Sequence, residues 1–72
     1  MAKLTERLKE LRNSRNVTQK QISEYIETDP RNYRRYESGD TDPTTKFLIK
    51  IADYFDVSLD YLVGRSDNPE RN

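Results

Sequence analysis

Three arginines in one short stretch are the residues of this sequence whose type and spacing best suit the recognition of a hydrogen-bond acceptor or an anion. They are Arg31, Arg34 and Arg35, which follow an Asp-Pro step at 29–30. A guanidinium group can bridge O6 and N7 of guanine in the major groove of DNA, and one good bidentate contact discriminates between bases by about 1–3 kcal/mol. The simpler alternative is a solvated face, because charged residues commonly occupy the outer side of a helix.

The helix that carries these arginines is predicted to begin at Asp29 and to stop at Gly39. Asp is a preferred N-cap residue, Pro is favoured at the first helical position, and Gly commonly follows a helix. At 100° per residue the arginines fall on one side, together with Ser38. The opposite side carries Tyr33, Tyr36 and Glu37. We therefore expect the tyrosines in the core, although they could instead stack on single-stranded bases.

The preceding helix offers a second contact for an anion. Thr18-Gln19-Lys20-Gln21 fits a capping box, in which the Thr hydroxyl and the second Gln each satisfy a free backbone amide. Gln19 then lies at the first helical position, where free N–H groups and the helix dipole favour a phosphate. Its side chain could instead serve only the cap. Lys46, near the start of a later helix, could contact phosphate or be merely solvated.

Composition limits the classes of function. The 72 residues include no Cys and no His, which removes disulfides, the usual zinc ligands and the usual nucleophile–base pairs. No glycine-rich phosphate loop is present. We therefore expect no enzyme activity, cofactor, metal or small-molecule ligand. Neither a membrane span nor an apolar signal segment is found, so the sequence predicts a cytoplasmic protein.

The charges are divided unevenly along the chain. The 13 basic and 13 acidic residues give a formal net charge of +0, which taken alone speaks against a nucleic-acid partner. Residues 1–36 carry nine Lys/Arg and five Asp/Glu, a net charge of +4. Residues 37–72 carry four Lys/Arg and eight Asp/Glu, a net charge of −4. A molecule polarised in this way can turn its basic half towards an anion.

Five helices are predicted to hold these side chains in place. The first covers about residues 4–15 and presents a leucine stripe to the core, with Arg7 on the side that faces water. The second begins at Thr18, and only Glu27 and Thr28 separate it from the third. Two short helices joined by so tight a turn can lay the second of them in the major groove.

The second half is predicted to complete one domain over residues 1–64. Thr44 or Thr45 is predicted to cap a fourth helix, and a short fifth helix is capped by Ser58 and ends at Gly64. Residues 65–72 are polar and are predicted to form a flexible tail or linker. The predicted core residues are Leu4, Leu8, Leu11, Ile22, Ile26, Tyr33, Tyr36, Leu48, Ile51, Ala52 and Phe55.

The sequence resembles the Cro/repressor-type (XRE-like) helix-turn-helix family of DNA-binding proteins over about residues 4–64. The resemblance depends on short pieces in the order and spacing of the family, none of them diagnostic alone. They are Leu11-Arg12, Thr18-Gln19, Arg35-Tyr36-Glu37-Ser38-Gly39, Pro43, Ile51-Ala52-Asp53 and Val57-Ser58-Leu59-Asp60-Tyr61-Leu62. It implies an all-α, compact five-helix bundle of the phage-repressor type, with the helix-turn-helix formed by helices two and three. It further implies a homodimer that binds a palindromic operator, mostly as a transcriptional repressor.

Carried over position by position, the resemblance assigns roles to individual residues. The positions that match base-reading residues are Pro30, Arg31, Asn32 and Arg35. Gln19 matches a glutamine that contacts the DNA backbone, and Arg12 and Glu37 match a structural salt bridge close to the phosphates. We also expect backbone contacts from Thr18, Arg34, Lys46 and Arg12.

The sequence departs from the family pattern at four positions. Glu27 occupies a turn position where Gly is usual, and a non-Gly residue in the left-handed conformation costs on the order of 1 kcal/mol. Asp56 likewise replaces a common Gly, and Ser23 replaces the usual Ala of the second helix. Pro30 replaces a side chain that often donates hydrogen bonds, so base reading is expected to shift onto the polar residues that follow it.

The sequence therefore predicts a sequence-specific regulator that binds double-stranded DNA. The alternative is a protein-interaction module that kept the fold and lost DNA binding, which the near-zero net charge and the acidic second half favour. Its contact surface would be apolar, and in the DNA-binding hypothesis the same surface is a candidate dimer contact. The residues of that surface are Val57, Leu59, Leu62 and Val63.

Overall fold

A computed structural model of the protein describes residues 2–71 and contains five α-helices. They are α1 (Ala2–Ser14), α2 (Gln19–Tyr25), α3 (Pro30–Ser38), α4 (Thr45–Phe55) and α5 (Leu59–Val63). No β-strand occurs in the described range, so the predicted all-α, five-helix architecture is confirmed. The first helix begins two residues before the predicted start and ends one residue before the predicted end. None of these five helices combines the length and the apolar character that a bilayer crossing requires.

Local capping determines where α2 and α3 begin. The Thr18 hydroxyl accepts a hydrogen bond from the Gln21 backbone N–H at 3.1 Å, and Gln21 Oε1 accepts one from the Thr18 N–H at 2.8 Å. This confirms the predicted capping box. At the start of α3, Asp29 Oδ1 accepts from the Arg31 N–H at 2.7 Å, and Pro30 is the first helical residue. Both caps satisfy amides that a helix start otherwise leaves unpaired.

Within residues 2–71, three residues other than glycine adopt the left-handed conformation, and two of them, Glu27 and Asp56, stand where the family pattern commonly has Gly. Asn16 has φ 55°, Glu27 has φ 62° and Asp56 has φ 56°. Asn and Asp tolerate this region because their short side chains can bond locally, whereas Glu gains no such compensation. The turn between α2 and α3 therefore contains a strained residue, Glu27.

The core lies where α1, α3 and α5 meet α2 and α4, and it contains every residue predicted for it. Tyr33, Phe55, Leu4 and Ile51 are among its fully enclosed side chains. The amphipathic spacing of the four longer helices accounts for this agreement, because each helix turns one apolar stripe inward.

The prediction of an apolar contact surface is wrong for two of its four residues, Val57 and Leu62. Val57 is 2% exposed and Leu62 is 0% exposed, so both belong to the core. Leu59 keeps 37% of its surface exposed, and Val63 is half-buried. The reason is that the chain reverses at Asp56 and packs α5 against α1, which a search for apolar residues along the sequence does not reveal.

Arg7 was predicted to face water, and the structure corrects this. Only 7% of the residue is exposed, and its guanidinium lies over the Tyr61 ring, 3.8 Å from the centroid. The same group donates to the Tyr61 carbonyl at 2.7 Å and to Asp67 Oδ1 at 2.9 Å. The prediction failed because these partners lie more than fifty residues away in sequence, in α5 and beyond it.

The polar residues 65–71, which we call the C-terminal strap, lie against the body of the molecule. The Ser58 N–H donates to the Pro69 carbonyl at 2.9 Å, and Arg71 Nη2 pairs with Asp53 Oδ1 at 2.5 Å. Together with the Arg7–Asp67 pair, these contacts join the strap to α1, α4 and the start of α5. The sequence predicted a flexible tail here, because composition alone does not reveal partners for its charges. A domain boundary at residue 64 stays a prediction.

Candidate nucleic-acid interface

The outer side of α3 carries an exposed row of arginines. Arg31, Arg34 and Arg35 are all exposed, and the Arg31 side chain keeps 87% of its surface accessible. On the inner side, Tyr33 is 0% and Tyr36 is 4% exposed. The predicted rotation of α3 is therefore confirmed, and neither tyrosine ring is available to stack on a base.

Aromatic packing fixes that rotation. The rings of Tyr33 and Tyr36 meet edge to face with centroids 6.2 Å apart, and Tyr36 also packs on Phe47 of α4 at 6.2 Å. Two large buried rings on consecutive turns leave α3 one orientation in which both remain out of water. The arginines are therefore presented to solvent by the core.

Beneath α3, Arg12 and Glu37 form the pair that the resemblance implied. Arg12 Nε lies 2.7 Å from Glu37 Oε2 and Nη2 lies 3.2 Å from Oε1, so the contact is bidentate. The Arg12 side chain is 20% exposed and the Glu37 side chain 5%. The hydrogen bond to Glu37 raises the pKa of Arg12, and the charge of Glu37 adds to this effect. Arg12 also donates to the Val17 carbonyl at 3.2 Å, which ties α1 to the start of α2.

Gln19 joins this network instead of extending freely from α2. Its Nε2 donates to Glu37 Oε1 at 3.3 Å, so one carboxylate holds both Arg12 and Gln19. An open depression beside it is lined by Arg12, Asn13, Asn16, Val17, Thr18 and Gln19. Thr18 keeps its own hydroxyl and N–H within the capping box. The phosphate contacts expected of Thr18 and Gln19 stay predictions.

The hydroxyl of Tyr33 lies beside the Glu37 carboxylate of the same network. It is the buried side-chain polar atom that finds no hydrogen-bond partner within residues 2–71. Burial, and after it the nearby Glu37 carboxylate, raises the pKa of Tyr33 well above its ordinary range. The phenol is therefore neutral at any ordinary pH.

Asn32 bridges two hydroxyl groups along α3. Its Nδ2 donates to Thr28 Oγ1 and to the Tyr36 hydroxyl, each at 2.9 Å. Sequence reasoning singled out Asn32 but missed both partners. The signal was partial, because positions 32 and 36 are four apart on α3 and so lie one turn apart, whereas Thr28 belongs to the turn before the helix.

Acidic side chains border the arginine row. Asp29 Oδ1 lies 3.6 Å from Arg31 Nε, and Glu27 Oε2 lies 3.6 Å from Lys50 Nζ. Both carboxylates are well exposed, at 58% and 78% of their side chains, so water screens these pairs and leaves them weak. They reduce the positive potential at the start of α3 without covering Arg31.

The structure places the other predicted site residues as follows. Pro30 is exposed at the first position of α3 and has no N–H to donate. Lys46 is exposed in the first turn of α4, outside the network around Glu37. Within residues 2–71, no three metal-ligating side chains come together.

Comparisons with known proteins agree with this arrangement. A family model described as helix-turn-helix matches residues 8–62. The cryptic phage CTXphi transcriptional repressor RstR of Vibrio cholerae is 43% identical over 63 residues, which cover 88% of this chain and 56% of that protein. The HTH-type transcriptional regulator ImmR of Bacillus subtilis is 36% identical over 69 residues, which cover 96% of this chain and 54% of that protein.

A solved structure has the same fold. The crystal structure of a transcriptional regulator from Listeria innocua superposes with a TM-score of 0.81 at 36% identity, over 85% of this chain and 57% of that one. The chain thus spans about half the length of the relatives it matches. These proteins are named as regulators or repressors of transcription, which agrees with the prediction that the chain is not an enzyme. The chain belongs to the helix-turn-helix family.

Proposed function

We propose that this protein is a transcriptional regulator that binds double-stranded DNA and reads base sequence with α3 in the major groove. The observation that carries the proposal is the exposed arginine row of α3, held outward by the buried rings of Tyr33 and Tyr36. A helix of this size fits the groove, and guanidinium groups match the acceptor edge of guanine.

Within this proposal some residues contact the bases, and others hold the DNA backbone or position the contacting side chains. Bases are read by Arg31, Asn32 and Arg35, while Pro30 offers only van der Waals contact at the start of α3. The DNA backbone is held by Gln19, Thr18, Arg34 and Lys46. Arg12 contributes chiefly by fixing Glu37 and, through it, Gln19, because its guanidinium is already bonded to Glu37 and to the Val17 carbonyl.

We further propose repression as the mode of regulation and a palindromic operator bound by two copies of the chain. The name of RstR, a transcriptional repressor, supports the first point, and the family resemblance supports the second. An operator with two-fold symmetry is what two identical domains would select. The protein-interaction alternative loses support, because Val57 and Leu62 of its contact surface are buried.

Selection of bound duplexes from a random pool tests the proposal. The expected result is enrichment of one sequence with two related half-sites, at low and at moderate salt. A matched control is Arg65→Ala, which removes one exposed arginine from the acidic half of the chain and should select the same sequence. Failure to enrich any duplex, even at low salt, would remove the proposal.

A further inference from the structure

The amide of Asn32 has committed both of its hydrogens inside the protein. Nδ2 donates to Thr28 Oγ1 and to the Tyr36 hydroxyl, each at 2.9 Å. A side-chain amide nitrogen carries two hydrogens, so these two bonds exhaust it as a donor. What the side chain has left is Oδ1, which can only accept.

Oδ1 receives no hydrogen bond from the described residues. It is also not fully enclosed, because the fully buried polar atom without a partner within residues 2–71 is the Tyr33 hydroxyl. Asn32 is half-buried and lies between Arg31 and the exposed Arg35 on the next turn. An accessible acceptor is therefore set into the outer side of α3.

The position of the amide is held from both ends. Thr28 belongs to the turn before α3, and Tyr36 is 4% exposed with its ring packed on Tyr33 and Phe47. A quarter turn of the amide about its last bond would break both hydrogen bonds, and a half-turn would place Oδ1 against the two hydroxyl groups and require both of them to donate. The ring of Tyr36 has no room to follow such a rotation, because its neighbours enclose it.

We propose that Asn32 is a specificity-determining residue that reads an exocyclic amino group, adenine N6 or cytosine N4, through Oδ1 alone. This inference rests on the proposed function. An unrestrained Asn recognises adenine by two bonds, accepting from N6 and donating to N7. Asn32 has no hydrogen left for N7, so it cannot tell adenine from cytosine. Guanine and thymine present only acceptors at this edge and are rejected.

Base selection by matched variants tests this inference. In the duplexes that the unaltered protein selects, one position of each half-site should favour adenine and cytosine over guanine and thymine by about two- to twelvefold, the value of one net hydrogen bond. Asn32→Ala should abolish the preference among the four bases at that position and leave the preferences at the other positions unchanged. Asn32→Asp should keep the preference, because a carboxylate still accepts outward while the two hydroxyls can donate to it.

The double variant Thr28→Val, Tyr36→Phe removes both internal acceptors and keeps the shapes of the side chains. It frees the amide, so the preference should narrow to adenine, by about fivefold or more over cytosine. Thermal unfolding of each variant shows whether its fold is retained. A preference for guanine or thymine in the unaltered protein would mean that Nδ2 faces outward and would overturn the inference.

The failure of this inference can be told apart from failure of the proposed function. Enrichment of a duplex in which no position responds to Asn32→Ala overturns the role of Asn32 and leaves DNA binding intact. The inference is also overturned if the double variant selects the same bases as the unaltered protein, because the restraint on the amide would then have no effect. The absence of any enriched duplex overturns both.

Discussion

Removing both partners of the Arg12–Glu37 pair should cost no more stability than removing one of them, and far less than the sum of the two single losses. The single variants are Arg12→Met and Glu37→Met, and the double variant carries both changes. Methionine keeps the aliphatic volume of each side chain and removes its charge. Each single variant leaves one charge without its partner, whereas the double variant leaves none.

The exposed fractions of the two side chains set the expected order. Arg12→Met leaves a carboxylate that is 5% exposed and retains Gln19 as a donor at 3.3 Å, so we expect a loss of about 3 kcal/mol. Glu37→Met leaves a guanidinium that is 20% exposed and still bonded to the Val17 carbonyl, so we expect about 2 kcal/mol. The double variant should lose about 2 kcal/mol or less, which gives a coupling free energy near 3 kcal/mol.

Urea unfolding followed by circular dichroism at 222 nm measures these values. A 72-residue domain is expected to have a free energy of unfolding of about 4–11 kcal/mol, so the single variants still fold. Because the hydrogen bond to Glu37 raises the pKa of Arg12, the contribution of Arg12 is complete below its ordinary value and is lost only as the pH rises through the raised one. The stabilities of the two single variants and the double variant are therefore compared at neutral pH. Additive losses, or a larger loss for Glu37→Met than for Arg12→Met, would refute the reasoning.

Three further changes test other parts of the fold. Tyr33→Phe removes a buried hydroxyl that has no partner, so thermal unfolding should show stability unchanged or raised by up to about 1 kcal/mol; a clear loss would mean that the hydroxyl is bonded. Glu27→Gly relieves left-handed strain but adds freedom to the unfolded chain, so it should raise stability by about 0.5 kcal/mol in the same assay, and Glu27→Ala should not. Arg7→Leu removes the bond to Asp67, so amide hydrogen exchange should become faster in the C-terminal strap, and unchanged protection there would contradict the assigned contacts.

Features that depend on neighbouring residues were predictable from the sequence. The caps at Thr18 and Asp29 follow from the preferences of a few adjacent side chains, whereas the left-handed conformation at Glu27 was expected from the family resemblance. The rotation of α3 followed from the phase of its tyrosines and arginines, because one helix can bury only one stripe.

Features that need a partner distant in sequence were not predictable. Arg7 was placed in water because nothing within α1 indicates the carbonyl of Tyr61 or the carboxylate of Asp67 that receive it. The burial of Val57 and Leu62 depends on the path of α5 back to α1. The bridge from Asn32 to Thr28 and Tyr36 required the rotamers of three side chains, which spacing restricts but does not choose.

The most direct test of the central claim, that the arginine row of α3 reads duplex DNA, is the affinity of arginine variants for the selected duplex and for random duplex. Fluorescence anisotropy at two salt concentrations measures both. We expect Arg31→Ala and Arg35→Ala each to weaken binding to the selected duplex by about 5- to 150-fold, with little change on random DNA, while Arg65→Ala changes neither. Equal weakening on both duplexes, or no binding at low salt, would contradict the account.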